Sequence, residues 1–113
     1  MKRRRVVWAE VARRDLEEIF TYLAADSPRA ALDTLERLER RARTLATMAE
    51  RGRVVPELGR LHVREYRELI VAPYRLVYRV TPREVAVLVA LDARRNLEDV
   101  LLDRLIRLSE GEE

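Results

Sequence analysis

The first half of the chain carries apolar residues at helical spacing in two segments. They recur every three or four positions from Glu10 to Ala24, and again from Pro28 to near Arg51. Ser27 is a typical N-cap residue and Pro28 a typical first helical residue. Because the connection is short, the pattern predicts an antiparallel helical hairpin, although the narrow seam of the second helix also suits a coiled coil.

The second half follows the period of two that is typical of β-strands. A loop marked by Gly52, Pro56 and Gly59 comes first. The predicted strands are 62–71, 74–81 and the wholly apolar run 85–91, which suits a strand covered on both faces, and Val6–Trp8 adds a short N-terminal strand. On the middle strand, Arg75 and Arg79 alternate with apolar residues, which predicts one apolar and one cationic face.

A last apolar pattern predicts a C-terminal helix, with Asn96 as its N-cap and Leu97, Val100, Leu101, Leu105 and Leu108 on its apolar side. We therefore predict an α+β fold, with an N-terminal helical hairpin packed on a small, mainly antiparallel twisted sheet and a C-terminal helix. With 113 residues, of which 48% are hydrophobic, we expect a single domain spanning residues 1–113.

Composition narrows the chemistry. The chain has no cysteine and one histidine, so we expect no disulfide, no metal site and no cofactor. It has no long apolar segment and no signal-peptide pattern, so we expect no membrane association and a cytoplasmic location. Residues 51–83 hold eight basic and three acidic groups, a local charge of +5 against +3 for the whole chain, which indicates an acidic or phosphate-bearing partner.

The order of elements and several short motifs resemble the ParE/RelE toxin superfamily of bacterial toxin–antitoxin systems. These motifs are a loop with Gly52 and Pro56-Glu57, the sequence Arg67-Glu68-Leu69, Tyr74-Arg75-x-x-Tyr78-Arg79, and Arg94-Arg95 after the last strand. The first helix, with Ala12-x-x-Asp15-Leu16-x-x-Ile19-x-x-Tyr22-Leu23, resembles the ParE and plasmid-stabilisation branch.

The resemblance implies one of two mechanisms. ParE-like members inhibit DNA gyrase by binding, whereas RelE-like members are ribosome-dependent mRNA interferases that cleave messages without a metal. The two RelE arginines fall on Arg75 and Arg95, but its two lysines fall on Tyr66 and Glu68. The tyrosine of its last helix falls on Leu101, and the histidine of many members is replaced by Asp92.

The chain therefore keeps cations but lacks most of the acid–base groups of a nuclease, which favours the ParE-like mechanism. If the chain were a nuclease, the catalytic candidates would be Arg75, Arg95, Glu68 and His62. The candidates for target or phosphate binding are Arg64, Arg67, Arg75, Arg79, Arg94 and Arg95.

Structural roles remain open for the same residues. Arg75 and Arg79 could instead lie on a solvated face or form ion pairs with Glu65 and Glu68. Arg94 and Arg95 could bind only their acidic neighbours. The resemblance further implies a cognate antitoxin and a higher-order toxin–antitoxin complex. A third function, a non-toxic module that only binds its antitoxin, also fits these patterns.

Overall fold

The computed structural model describes residues 3–102 and 104. Helices α1 (Glu10–Ala24) and α2 (Pro28–Arg43) form the hairpin. The Ser27 side chain accepts a hydrogen bond from the Ala30 backbone N–H at 3.1 Å, so the predicted N-cap is confirmed. Ala12 and Leu16 of α1 pack in the same apolar cluster as Leu38 of α2, which places the hairpin seam in the core of this chain.

The second helix ends earlier than its apolar pattern predicts. α2 stops at Arg43, a 3₁₀ turn covers Thr44–Ala46, and the prediction of a helix to near Arg51 is wrong. The Thr44 hydroxyl donates to the Arg41 carbonyl oxygen at 2.6 Å, and such a local bond competes with helix propagation. The Ala46 carbonyl instead accepts a hydrogen bond from the Arg4 backbone N–H at 2.7 Å, which ties the turn to the N-terminal strand.

The sheet has five strands: β1 (Arg5–Trp8), β2 (Arg53–Val54), β3 (Tyr66–Val71), β4 (Tyr74–Val80) and β5 (Glu84–Asp92). Their order is β1-β5-β4-β3-β2, with β1 parallel to β5 and the other pairs antiparallel. The α+β class is confirmed. Two details differ from the predictions. β3 begins at Tyr66 rather than at His62, and the predicted loop contains β2 and the short helix α3 (Pro56–Gly59).

Both faces of the sheet are covered, as the apolar run of β5 predicted. The helical hairpin packs on one face, where Leu76, Tyr78 and Val87 are fully buried. On the opposite face, Val77 and Val89 pack with Leu97 and Val100 of the C-terminal helix, α4. The described residues of α4 are 97–102 and 104, and the Asn96 side chain accepts from the Glu98 N–H at 2.8 Å, as expected of an N-cap. Leu105 and Leu108 lie outside the described residues.

Side chains cap β3 and β5 where these strands extend beyond the short edge strands β2 and β1. Beyond β2, the outer carbonyls of β3 and its turn accept hydrogen bonds from α2: Arg41 donates to Ile70 at 3.4 Å and Arg37 to Ala72 at 3.0 Å. Beyond β1, the outer edge of β5 is capped by Asp15, which accepts from the Ala90 N–H at 2.9 Å, and by Arg104, which donates to the Leu88 carbonyl at 3.3 Å. These bonds satisfy backbone groups that an edge strand otherwise exposes.

Within the described part of the chain, no helix is long and apolar enough to cross a bilayer.

Candidate functional site

Arg75 lies at the centre of a buried ion-pair network rather than on an open surface. It is only 6% exposed, and its two terminal nitrogens donate to both carboxylate oxygens of Glu57 at 2.9 and 2.8 Å. Its Nε donates to Glu68 at 2.6 Å. All the faces of this guanidinium that carry donors are therefore engaged by carboxylates.

Glu68 is the second centre of the network. Glu68 is only 1% exposed. One of its carboxylate oxygens accepts a hydrogen bond from Arg75 Nε and the other accepts one from Arg53 Nε at 2.6 Å, so two arginines bind it. The strand register explains the arrangement, because Arg53 lies directly opposite Glu68 and Arg75 lies diagonally across the β3–β4 pair. The alternative that Arg75 pairs with Glu68 is thus the observed one.

Helix α3 brings Glu57 over this face of the sheet. Pro56 begins the helix and Leu58 packs against the apolar cluster around Val77 and Leu97, so the helix is held close to β4. The prediction of an open cationic face on β4 is therefore wrong at Arg75, which α3 covers, although Arg79 is exposed at the end of the strand.

The Glu57 carboxylate is held in its charged form by this geometry. Hydrogen bonds from Arg75 are the largest cause that lowers the pKa of Glu57, from 4.5 to about 2, against the opposing effect of burial. The same pairing raises the pKa of Arg75, so neither group exchanges a proton near neutral pH.

We therefore expect acid to destabilise the protein through Glu57. Its folded pKa is depressed, so its contribution is complete above about pH 4.5 and is lost as the pH falls toward 2, which corresponds to about 3 kcal/mol in the free energy of unfolding. Urea unfolding of the wild type and Glu57→Gln between these pH values measures the effect. The free energy of unfolding of Glu57→Gln should change less with pH between 4.5 and 2 than that of the wild type. An equal change in both proteins would contradict the stabilising role of the Glu57 carboxylate.

The six arginines proposed for target binding do not form one surface. Arg79 pairs across the sheet with Tyr66, whereas Arg94 and Arg95 follow the opposite end of β5, beside Tyr74. The six residues from Tyr74 to Arg79 span about 17 Å of strand, and Arg75, between Arg79 and the Arg94–Arg95 pair, is buried. Arg67 is engaged in structure, since it donates to the Gly52 carbonyl oxygen at 2.8 Å.

At the end of β5, Arg94 is exposed and binds its own neighbour. It donates to both carboxylate oxygens of Asp92 at 2.9 and 2.8 Å, and these bonds lower the pKa of Asp92 to about 2. Arg95 is exposed next to it. The acidic residue that replaces the family histidine therefore serves here as a partner for Arg94.

The remaining nuclease candidates are separated from the network. His62 is exposed in the turn before β3, with a φ of 63°, and neither its side chain nor that of Arg95 hydrogen bonds with Arg75 or Glu68 in the described structure. Sequence reasoning also missed Arg53 and Glu57 as partners. The Pro56-Glu57 motif was visible, but a four-residue helix has no periodicity from which to place its side chains.

Asp15 is another residue whose role only the structure reveals. It lies in the helix motif noted above, and it links α1, β5 and α4, since Arg104 donates to both of its carboxylate oxygens at 2.5 Å. Burial is the largest cause that raises its pKa. Among the described residues, no group of His, Cys, Asp or Glu is arranged to hold a metal ion.

Comparisons with known proteins agree with this architecture. Residues 6–98 match the family described as the ParE toxin of the type II toxin–antitoxin system, parDE. The chain is 34% identical over 103 residues to the "Putative toxin Y4kP" of Sinorhizobium fredii (strain NBRC 101917 / NGR234), a match that covers 89% of this chain and 100% of the relative.

A solved structure has a similar fold. It is described as the chromosomal ParDE TA system from P. aeruginosa, with a TM-score of 0.66 and 22% sequence identity, and the match covers 79% of this chain and 95% of that chain. The family match spans most of the chain, from β1 to the start of α4. The chain belongs to the ParE toxin family of type II toxin–antitoxin systems.

Proposed function

We propose that this ParE-type toxin acts by binding and inhibiting DNA gyrase, and that it does not cleave RNA. The observation that carries the proposal is the closed network around Arg75. A nuclease needs a free base and cations that reach the scissile phosphate, but Glu68 is held by two arginines and Arg75 by two glutamates. At this site the arginine stabilises the fold instead of contacting a substrate.

The exposed arginines at the end of β5 are our candidate for the gyrase contact. Arg94 and Arg95 are exposed, and Arg94 remains so while it pairs with Asp92. By contrast, Arg75 is buried and Arg67 is half-buried against the Gly52 carbonyl oxygen. Tyr22 projects from α1, is 80% exposed and is an electrostatic neighbour of Arg94. A large aromatic side chain beside arginines is the composition typical of residues that dominate the energetics of protein interfaces.

We further propose a cognate antitoxin that covers the helical hairpin. Leu32 of α2 is 57% exposed, although it is a leucine in an ordered helix, and Tyr22 lies on the neighbouring helix. The charge of +5 in residues 51–83 favours an acidic, flexible partner segment. On this proposal the whole chain acts as one toxin domain in the cytoplasm, where gyrase and its DNA are found.

The decisive experiment measures both mechanisms in the same cells. After induction of the chain, plasmid supercoiling reports gyrase activity and primer extension maps cuts in messenger RNA. We expect loss of negative supercoiling with uncut messages, and the purified chain should inhibit gyrase supercoiling in vitro. Discrete message cuts with undisturbed supercoiling would instead support the mRNA interferase, and neither effect would support a non-toxic antitoxin-binding module.

A pair of variants tests the contact surface. Arg94→Ala with Arg95→Ala removes two exposed cations, and we expect at least a tenfold weaker inhibition of gyrase because arginines often contribute strongly at interfaces. The matched control, Arg13→Ala with Arg29→Ala, removes the same charge from exposed positions on α1 and α2. Equal inhibition by the two variants would exclude the end of β5 as the contact surface.

A further inference from the structure

A second group of arginines surrounds the start of β1, away from the network and from the end of β5. We call it the β1 arginine cluster, and its members are Arg3, Arg4, Arg5, Arg43 and Arg83. The fold assembles it from three parts of the chain. Arg5 hydrogen bonds through its backbone N–H with the Arg83 carbonyl at 3.0 Å, and Arg43 ends α2 beside the turn that binds the Arg4 backbone.

Only two members of the cluster are held by acceptors within the described chain. Arg4 Nε donates to the Thr81 carbonyl oxygen at 2.8 Å, and Arg5 pairs with Glu84 at 2.5 Å. The side chains of the other three, Arg3, Arg43 and Arg83, are exposed and make no hydrogen bond or ion pair with the residues that the structure describes.

The cluster lines two adjoining surface concavities. One is formed by Arg3, Arg5, Thr81, Pro82, Arg83 and Glu84. The other is formed by Arg3, Arg4, Arg5, Val6, Arg43 and Ala46. Because they share Arg3 and Arg5, the two concavities form one continuous basic surface around a corner of the sheet. Among the residues that the structure describes, Glu84 is the only carboxylate in either lining, and it is already paired with Arg5.

We propose that the β1 arginine cluster binds the phosphate backbone of a nucleic acid duplex. Five guanidiniums that face one acidic group repel each other in the free protein, and phosphates relieve that repulsion with the planar, two-pronged geometry that arginine prefers. No aromatic side chain lies among the described residues of either lining. Binding of single strands relies on bases stacked on aromatic rings, so this surface fits a duplex recognised through its backbone, without sequence preference.

This inference goes beyond gyrase inhibition and does not depend on it. The cluster is assembled at the opposite end of β5 from Arg94 and Arg95, since β1 pairs with residues 84–87 and Asp92 ends the strand. A variant of one surface therefore leaves the other in place, and the two activities can be lost separately.

The test is fluorescence anisotropy with the full chain, made by cell-free synthesis, and a labelled DNA duplex of about 20 base pairs at several salt concentrations from about 50 mM. The variant R3Q/R43Q/R83Q removes the three cations that have no partner among the described residues. The control R13Q/R29Q/R60Q removes the same charge from exposed positions elsewhere. Circular dichroism verifies that both variants are folded.

We expect the cluster variant to bind the duplex at least tenfold more weakly and to lose about 2–3 units of slope in the plot of log affinity against log salt. The control should change affinity less than threefold. An equal loss of duplex affinity in both variants would show that only the net charge of the protein matters, and it would overturn the proposal. So would tighter binding to a single-stranded RNA of the same length, or no duplex binding at the lowest salt.

Discussion

Replacing Arg75 with alanine is expected to lower the free energy of unfolding by about 3–5 kcal/mol. The substitution leaves Glu68, 1% exposed, with Arg53 as its remaining ion-pair partner, and the Arg53 side chain is largely exposed. It also deprives Glu57 of the two hydrogen bonds that Arg75 donates. Removing one member of a buried charge network costs this much because the remaining charge stays desolvated without its partner. Urea unfolding followed by the fluorescence of Trp8 measures the change.

Arg79→Ala is the matched control for this substitution. Arg79 lies four residues further on the same strand and is exposed, so its loss should change stability by no more than about 0.5 kcal/mol. A similar cost for both substitutions would contradict the network as the source of stability. Any loss of toxicity in Arg75→Ala should follow its unfolded fraction, because we assign this arginine no contact with a target.

The substitution Gly52→Ala is expected to cost about 2–4 kcal/mol. A Cβ at this position would lie 2.5 Å from the Glu68 carbonyl oxygen and 2.5 Å from the Tyr78 hydroxyl oxygen, and neither can move freely. The Glu68 oxygen belongs to β3, and the Tyr78 hydroxyl is buried and accepts a hydrogen bond from the Gly52 N–H at 2.9 Å. The added methyl group therefore forces overpacking and weakens a buried hydrogen bond at once.

Gly59→Ala provides the comparison. There the new Cβ would meet only a Val54 methyl group at 3.4 Å, and alanine favours the helical conformation of α3. We expect this variant to be as stable as the wild type or slightly more so. Thermal unfolding of both variants by circular dichroism separates them, and a small effect at Gly52 would show that the loop before β2 can shift away from Tyr78.

Local signals in the sequence predicted much of the fold. Ser27 and Pro28 marked the start of α2, and the alternation of β4 placed Tyr74, Leu76 and Tyr78 on the face that the hairpin covers. Caps and strand alternation depend only on residues that are close together in the sequence, so they can be predicted from it. Contacts between distant segments override them, as at the end of α2, where Ala46 binds the N-terminal strand in place of another helical turn.

The wholly apolar run of β5 shows a different limit. The register slips where Val77 lies opposite Val89 but Tyr78 opposite Val87, so Leu88 is an extra residue in the strand. Because every residue in this run is apolar, alternation cannot reveal such a bulge.

The candidate site was predictable in part. The motifs contain Arg75 and Glu68, and an ion pair with Glu68 was one of the predicted alternatives for Arg75. Glu57 and Arg53 come from a segment without periodicity, and only the packing of α3 on β4 brings them to the pair. The sequence thus shows which charged residues are present, but only the packing shows whether they pair with each other or are exposed to a ligand.

The capped outer edge of β3 affects how copies of the protein can associate at high concentration. An open edge strand is a template on which further copies can stack, and here guanidiniums from α2 already occupy the outer carbonyls of Ile70 and Ala72. A second copy of the chain would have to displace these guanidiniums before its own backbone N–H groups could reach the two carbonyls. We therefore expect these two arginines to disfavour the addition of a strand from a second copy at this part of β3.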